Sequence, residues 1–162
     1  MKMENFFAEY RTIIVFLHVL SGVVWVGGMV AMRYAAHPSF LEIESPAKRL
    51  ERIAHALKNL FAIVVPFVVL LLVTAVFMIM GYGLSGSEHA ILAHAKEGIW
   101  VVMALNLFAM IYRRNKAQKA LEQGNFVVAK DQLGLIGKIM VPLNIALGVV
   151  AIFLGASLSG SF

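Results

Sequence analysis

Phe16-Leu17-His18-Val19-Leu20-Ser21-Gly22-Val23-Val24-Trp25-Val26-Gly27-Gly28 belongs to an apolar run, Ile13 to Met32, that carries a histidine in its first half. A run of about 20 apolar residues matches the roughly 30 Å hydrocarbon core of a bilayer. A histidine inside such a run needs a partner, because an unbonded polar group in lipid costs several kcal/mol. Seventy-six residues on, His94 is followed by Gly98 just as His18 is followed by Gly22, one turn along the same helix face. The same offset places Pro66 on Pro142 and pairs Ile63/Ile139, Val65/Val141, Leu71/Leu147, Val73/Val149, Ala75/Ala151 and Phe77/Phe153. The pattern predicts two tandem helical hairpins related by a pseudo-twofold axis along the membrane normal, with His18 and His94 facing each other across it.

Composition agrees with a membrane location. The chain has 162 residues, of which 60% are hydrophobic and only 14% charged, too apolar for a soluble domain of this size. The expectation is a single all-α integral membrane domain over residues 1–162, a four-helix bundle with spans near 12–33, 58–80, 91–112 and 138–158. The first run is too long for a signal peptide and no small-residue cleavage site follows it, so it is expected to remain as an anchor.

The net charge of +5 sorts by loop. Arg33, Lys48, Arg49, Arg52 and Lys58 lie between spans 1 and 2, and Arg113, Arg114, Lys116, Lys119, Lys130 and Lys138 between spans 3 and 4. Lys2, Arg11 and Lys96 lie on the other side. By the positive-inside rule both basic loops are cytoplasmic and both termini extracytoplasmic, in a bacterial-type inner membrane. Basic residues grouped in this way, without interleaved aromatics, exclude a nucleic-acid surface. The absence of cysteine excludes disulfides and thiolate metal sites.

Local signals fill in the chain. Phe6, Phe7 and Tyr10 are expected to anchor at headgroup level. His37-Pro38 is expected to close helix 1, and Ser45-Pro46 to cap and open helix 2. From Pro46 to Met80 helix 2 has 35 residues, about 52 Å, and so projects beyond the bilayer. Helices 3 and 4 extend past it at the same end. Pro66 and Pro142 are expected to bend helices 2 and 4. Gly81 and Gly83 are expected to end helix 2, Ser87-Glu88 to start helix 3, and Gly124-Asn125 to turn into helix 4.

Two histidines on opposing helices of a bundle match the axial ligation of a haem iron, and Gly22 and Gly98 leave room for a flat ring beside them. The competing reading bonds each histidine to Asn106, Asn144, Thr74 or a backbone carbonyl. Trp25, two turns below His18, is placed to line the same pocket, and Lys96 to reach a haem propionate or an anionic substrate. Copper is the alternative metal, with the thioethers of Met29, Met78, Met103 or Met140 completing the site. Arg33, His37 and His55 form a looser set at the cytoplasmic end, a candidate second haem or metal site. The small residues Ser21/Gly22 and Gly27/Gly28 offer a surface for a homodimer.

His18, Trp25 seven residues later, Gly28, Arg33, His37, Lys58 eight residues before Pro66, and the triplet His94-Ala95-Lys96 resemble the pattern of HemJ-type protoporphyrinogen IX oxidases. The wider superfamily includes the copper-resistance D-type membrane proteins, whose helices look similar. The resemblance covers most of the chain. It implies a four- or five-helix bundle binding haem b, with His18 a ligand and Lys96 and Arg33 candidate catalytic residues near a porphyrin or quinone-like lipophilic substrate or redox partner. Three functions follow as expectations: a haem b membrane oxidoreductase or electron-transfer protein, a copper-handling protein, or a structural subunit of a membrane complex.

Overall fold

The computed structural model describes residues 3–82 and 90–159. Gly83, Ser87 and Glu88, read above as helix signals, lie outside them, as do residues 160–162. The chain runs α1 (Met3–Ala31), a π-helical turn (Met32–Ala36), α2 (His37–Leu41), α3 (Pro46–Gly81), α4 (Ala90–Glu122), α5 (Phe126–Leu135), a second π-helical turn (Ile136–Met140) and α6 (Val141–Ser159). Among the described residues there are no strands. Since α2 continues α1 and α6 continues α5, the chain forms four rods, each long and apolar enough to cross a membrane.

A proline follows each π turn. The His37 amide bonds the Met32 carbonyl and the Val141 amide bonds the Ile136 carbonyl, both five residues back, and Pro38 and Pro142 follow at once. A proline ring collides with the carbonyl four residues before it and has no N–H to offer; a widened turn relieves both problems. His37-Pro38 therefore does not close helix 1, which passes through the π turn and ends at Leu41. Ser45 then opens α3 as its sequence predicts, its hydroxyl accepting from the Lys48 amide at 3.5 Å with Pro46 in the first turn. Pro66 sits in the unbroken α3, so its match to Pro142 is not accompanied by the same backbone. At the other link Gly124 takes φ +72°, and Asn125 Oδ1 accepts from the Val128 amide at 3.2 Å. Only glycine adopts that φ without strain.

α1 packs against α3 and α6, and α4 against α3, α5 and α6, so α1 and α4 stand diagonally across the bundle. The core is one continuous cluster that includes Trp25, Met29, Leu57, Phe61, Val64, Leu107, Met110, Ile136 and Val141. The outward faces are apolar too: Phe16, Val19, Val23, Ile63, Val69, Leu105, Phe108 and Phe153 are all exposed. Helices apolar on every side belong in lipid. Polar contacts between rods are few and well satisfied. Asn106 Nδ2 donates to Asn144 Oδ1 at 2.7 Å and to the Met140 carbonyl at 2.8 Å, while Asn144 Nδ2 donates to the Met103 carbonyl at 3.3 Å.

Three glycines set the helix spacing. A side chain at Gly148 would overlap Val26 of α1 and press on Met103, one at Gly28 would meet Leu60 Cδ1 at 3.0 Å, and one at Gly81 would overlap the Phe7 ring. Phe7 is thus buried against the end of α3, with its ring edge-on to Tyr82 at 4.9 Å, and not a headgroup anchor.

Buried positions test the internal repeat directly. An offset of 76 superimposes the core faces of α3 and the α5–α6 rod: Ile53/Ala129, Leu57/Leu133, Val64/Met140 and Val68/Asn144 are buried in both members. Between α1 and α4 the offset that matches is 78, giving Trp25/Met103, Met29/Leu107 and Met32/Met110. The two hairpins thus share a burial pattern, at an offset that is two residues larger for the first helices than for the second. That difference moves the counterpart of His18 from His94 to Lys96.

Candidate functional site

His18 lies on the inward stripe of α1 that also holds Ile14, Ser21, Trp25 and Met29, and it is half-buried. Its Nδ1 is 3.0 Å from Thr74 Oγ1 of α3. The Thr74 hydroxyl donates its one hydrogen to the Leu70 and Leu71 carbonyls, at 2.8 and 3.0 Å. With the Thr74 hydrogen turned to its own helix, Oγ1 accepts from the Nδ1–H form of the imidazole, and the Leu71 backbone is a further hydrogen-bond partner of the ring. A hydrogen bond at one ring nitrogen that fixes the tautomer and ring orientation is what a metal-ligating histidine has at its second nitrogen.

Lys96 extends the inward stripe of α4 by one turn beyond Trp100, Met103, Leu107 and Met110. It is half-buried, and its charge is within electrostatic reach of His18 across the bundle diagonal. A side chain at Gly155 of α6 would come within 3.0 Å of its Nζ, so the glycine makes room for the ammonium. Lys96 forms no hydrogen bond or ion pair among the described residues. Below this level two indole N–H groups, Trp25 Nε1 and Trp100 Nε1, are buried without an acceptor among the described residues. Each unsatisfied donor costs about 1–3 kcal/mol.

The expected histidine pair is not formed. His94 is 67% exposed, and its Nδ1 meets Glu97 Oε2 of its own helix at 2.9 Å. Two residues are separated by about 200° around a helix, so an inward Lys96 turns His94 outward. Of the hydrogen-bond partners expected for His18, Thr74 and a backbone group, that of Leu71, are found, while Asn106 and Asn144 bond each other.

Gly22 and Gly98 both face open space. Neither has another group within 4 Å of a side chain built there, and Gly98 is exposed. The small residues that do admit a neighbour from across the bundle are Gly148 and Gly155 of α6. Of the proposed dimer surface, Ser21 is fully buried with its hydroxyl on the Leu17 carbonyl at 2.7 Å, and Gly28 packs on Leu60. Only Gly22 and Gly27 keep open faces.

Arg33 is 15 residues from His18, about 22 Å along the helix, and so belongs to the opposite end of the bundle. With His37, Leu133 and Gly137 it lines a cavity of about 20 Å³ between the two π turns, room for a single water. His55 is exposed on α3 and does not line that cavity. Among the described residues no three His, Asp or Glu side chains gather closely enough to hold a metal ion. Of the four methionines considered for copper, Met29, Met103 and Met140 are buried in the core and Met78 is half-buried.

Compared with family models, curated proteins and solved structures, the chain matches none.

Proposed function

We propose that this chain is a haem b-binding membrane oxidoreductase of HemJ-like character, oxidising a lipophilic porphyrin-type substrate, in which His18 is the one histidine ligand. The observation that carries this reading is the Thr74 hydrogen bond, which holds the His18 ring on the inward stripe of an apolar bundle and supports an Nδ1–H form whose Nε2 would serve as the ligand. His18 would hold the group, whereas His94 is engaged with Glu97 at the surface and would not pair with it. When bound, haem b supplies one-electron redox chemistry at its iron.

The chain's own residues have distinct tasks. Thr74 holds the imidazole in the Nδ1–H form. The Lys96 ammonium is suited to bind a carboxylate, whether a haem propionate or an acidic group of the substrate, and Gly155 keeps space for it. Trp25 and Trp100 offer indole N–H donors to acceptors on a bound guest. The surrounding helices exclude water, which strengthens each of these contacts. The basic residues on both interhelical links support an inner-membrane orientation with the termini outside the cytoplasm, placing His18 and Lys96 toward the extracytoplasmic side.

An absorption spectrum of the detergent-purified protein, oxidised and reduced, tests this reading. A Soret band with b-type reduced bands is expected. Copper without haem would transfer the function to copper handling of the copper-resistance D type, and a colourless, metal-free protein would leave a structural role. Lys96→Ala should retain haem but lower porphyrinogen turnover by one to two orders of magnitude, as removal of a charge that positions substrate does. Unchanged turnover would make Lys96 an interfacial charge only. Thr74→Val, which removes the acceptor for His18 Nδ1–H, should weaken haem affinity about 10–100-fold. Haem titration into the apoprotein measures it.

A further inference from the structure

At the basic end of the bundle, on its outer surface, a groove of about 370 Å³ runs between α3 and α4. Its lining is polarised along the helix axis. Lys58, Arg114 and Asn115 stand at one end, and Phe61, Ala62, Val65, Pro66 and Ile111 continue toward the membrane centre. Lys58 and Pro66 are eight residues apart, about 12 Å along α3. Two cations thus sit at headgroup depth above an apolar trough deep enough for the first part of an acyl chain.

Arg114 is held ready in this arrangement. Its Nε donates to the Ala54 carbonyl of α3 at 2.9 Å, NH1 to Asn115 Oδ1 at 3.1 Å and NH2 to Gln118 Oε1 at 3.4 Å, which bridges the two helices and fixes the guanidinium. The acidic group electrostatically coupled to it, Glu122, is itself engaged by Gln118 Nε2 at 3.0 Å, two turns beyond the groove. Lys58 is exposed and makes no hydrogen bond or ion pair among the described residues.

We infer that this groove binds an anionic phospholipid, its phosphate between Lys58 and Arg114 and one acyl chain along Phe61, Val65 and Ile111. The occupant has to present an anion at the interface and hydrocarbon 12 Å deeper, and of the components of a bilayer an anionic phospholipid does both. A free phosphate would leave the trough empty, and a zwitterionic lipid would bring a cation against Lys58. The site lies at the opposite end of the bundle from His18 and Lys96 and stands independently of the proposed redox function.

The test is native mass spectrometry of the full-length protein titrated with dioleoyl-phosphatidylglycerol or dioleoyl-phosphatidylcholine. Phosphatidylglycerol should be retained in preference to phosphatidylcholine. Lys58→Gln should lower its affinity about fivefold, the effect of one cation near an anionic headgroup. Lys119→Gln, an exposed cation outside the groove, should leave it unchanged. Ala62→Trp, at an exposed position that needs no repacking of the core, should block the trough and abolish retention. Excess inorganic phosphate should not displace the lipid. Equal retention of both lipids, equal losses in Lys58→Gln and Lys119→Gln, or displacement by phosphate alone would each overturn the assignment.

Discussion

His18→Ala is expected to leave the purified protein without haem b, while His94→Ala keeps it. The two histidines look alike in the sequence, each followed by glycine four residues later, but they occupy different environments. His18 is half-buried on the inward stripe and bonded to Thr74, whereas His94 is 67% exposed and bonded to Glu97. Alanine at position 18 removes the imidazole bonded to Thr74 and leaves the Thr74 hydroxyl bonded to its own helix, so the fold should persist without its cofactor. Alanine at position 94 removes only an exposed side-chain contact with Glu97 of the same helix, worth about 0–1 kcal/mol. The haem-to-protein ratio after purification separates the two variants. Haem retained by His18→Ala, or lost from His94→Ala, would reverse the ligand assignment.

Gly148→Leu should damage the packing of the bundle severely. The residue is buried where α6 meets α1, and even a Cβ would overlap Val26 and crowd Met103. Because protein interiors are packed to crystal density, overfilling of this kind costs about 1–3 kcal/mol, and more where backbone has to move. Val26 adjoins Trp25, so separation of these helices also disturbs the wall of the proposed site. Gly22→Leu is the matched comparison, since nothing lies within 4 Å of a side chain there. Thermal denaturation in detergent should show a clear fall in Tm for Gly148→Leu and little or none for Gly22→Leu. Similar Tm values for the two variants would contradict the close approach of α1 and α6.

The fold was legible because its cause is one-dimensional. Four apolar runs of spanning length specify four lipid-embedded helices, and Ser45-Pro46 and Gly124-Asn125 mark two of the turns by local chemistry alone. The run Arg33 to Leu41 was misread because a proline usually ends a helix, whereas here a π turn absorbs it. Nothing in the residues preceding Pro38 or Pro142 distinguishes them from those preceding Pro66, which needs no such turn.

The site was half legible. His18 stands out as an ionisable group in an apolar run, and Thr74 was among its possible partners. Residue identity corresponds at an offset of 76, which pairs His18 with His94, while the buried faces of α1 and α4 correspond at 78, which pairs it with Lys96. A two-residue slip rotates a helix by about 200° and exchanges its inside for its outside. The signal that could have corrected this was present: the spacing of Trp100, Met103, Leu107 and Met110, carried back one turn, lands on Lys96 and not on His94. Gly155 and the orphaned indole N–H of Trp100 had no sequence signal, since each depends on what stands opposite in the bundle.

The most direct measurement is the spin state of the ferric protein, read by electron paramagnetic resonance together with its absorption spectrum. A single histidine ligand, with His94 held outward by Glu97, predicts high-spin ferric haem. A low-spin bis-histidine signature, one that disappears in His94→Ala, would show that the two imidazoles meet after all and would contradict the inward placement of Lys96.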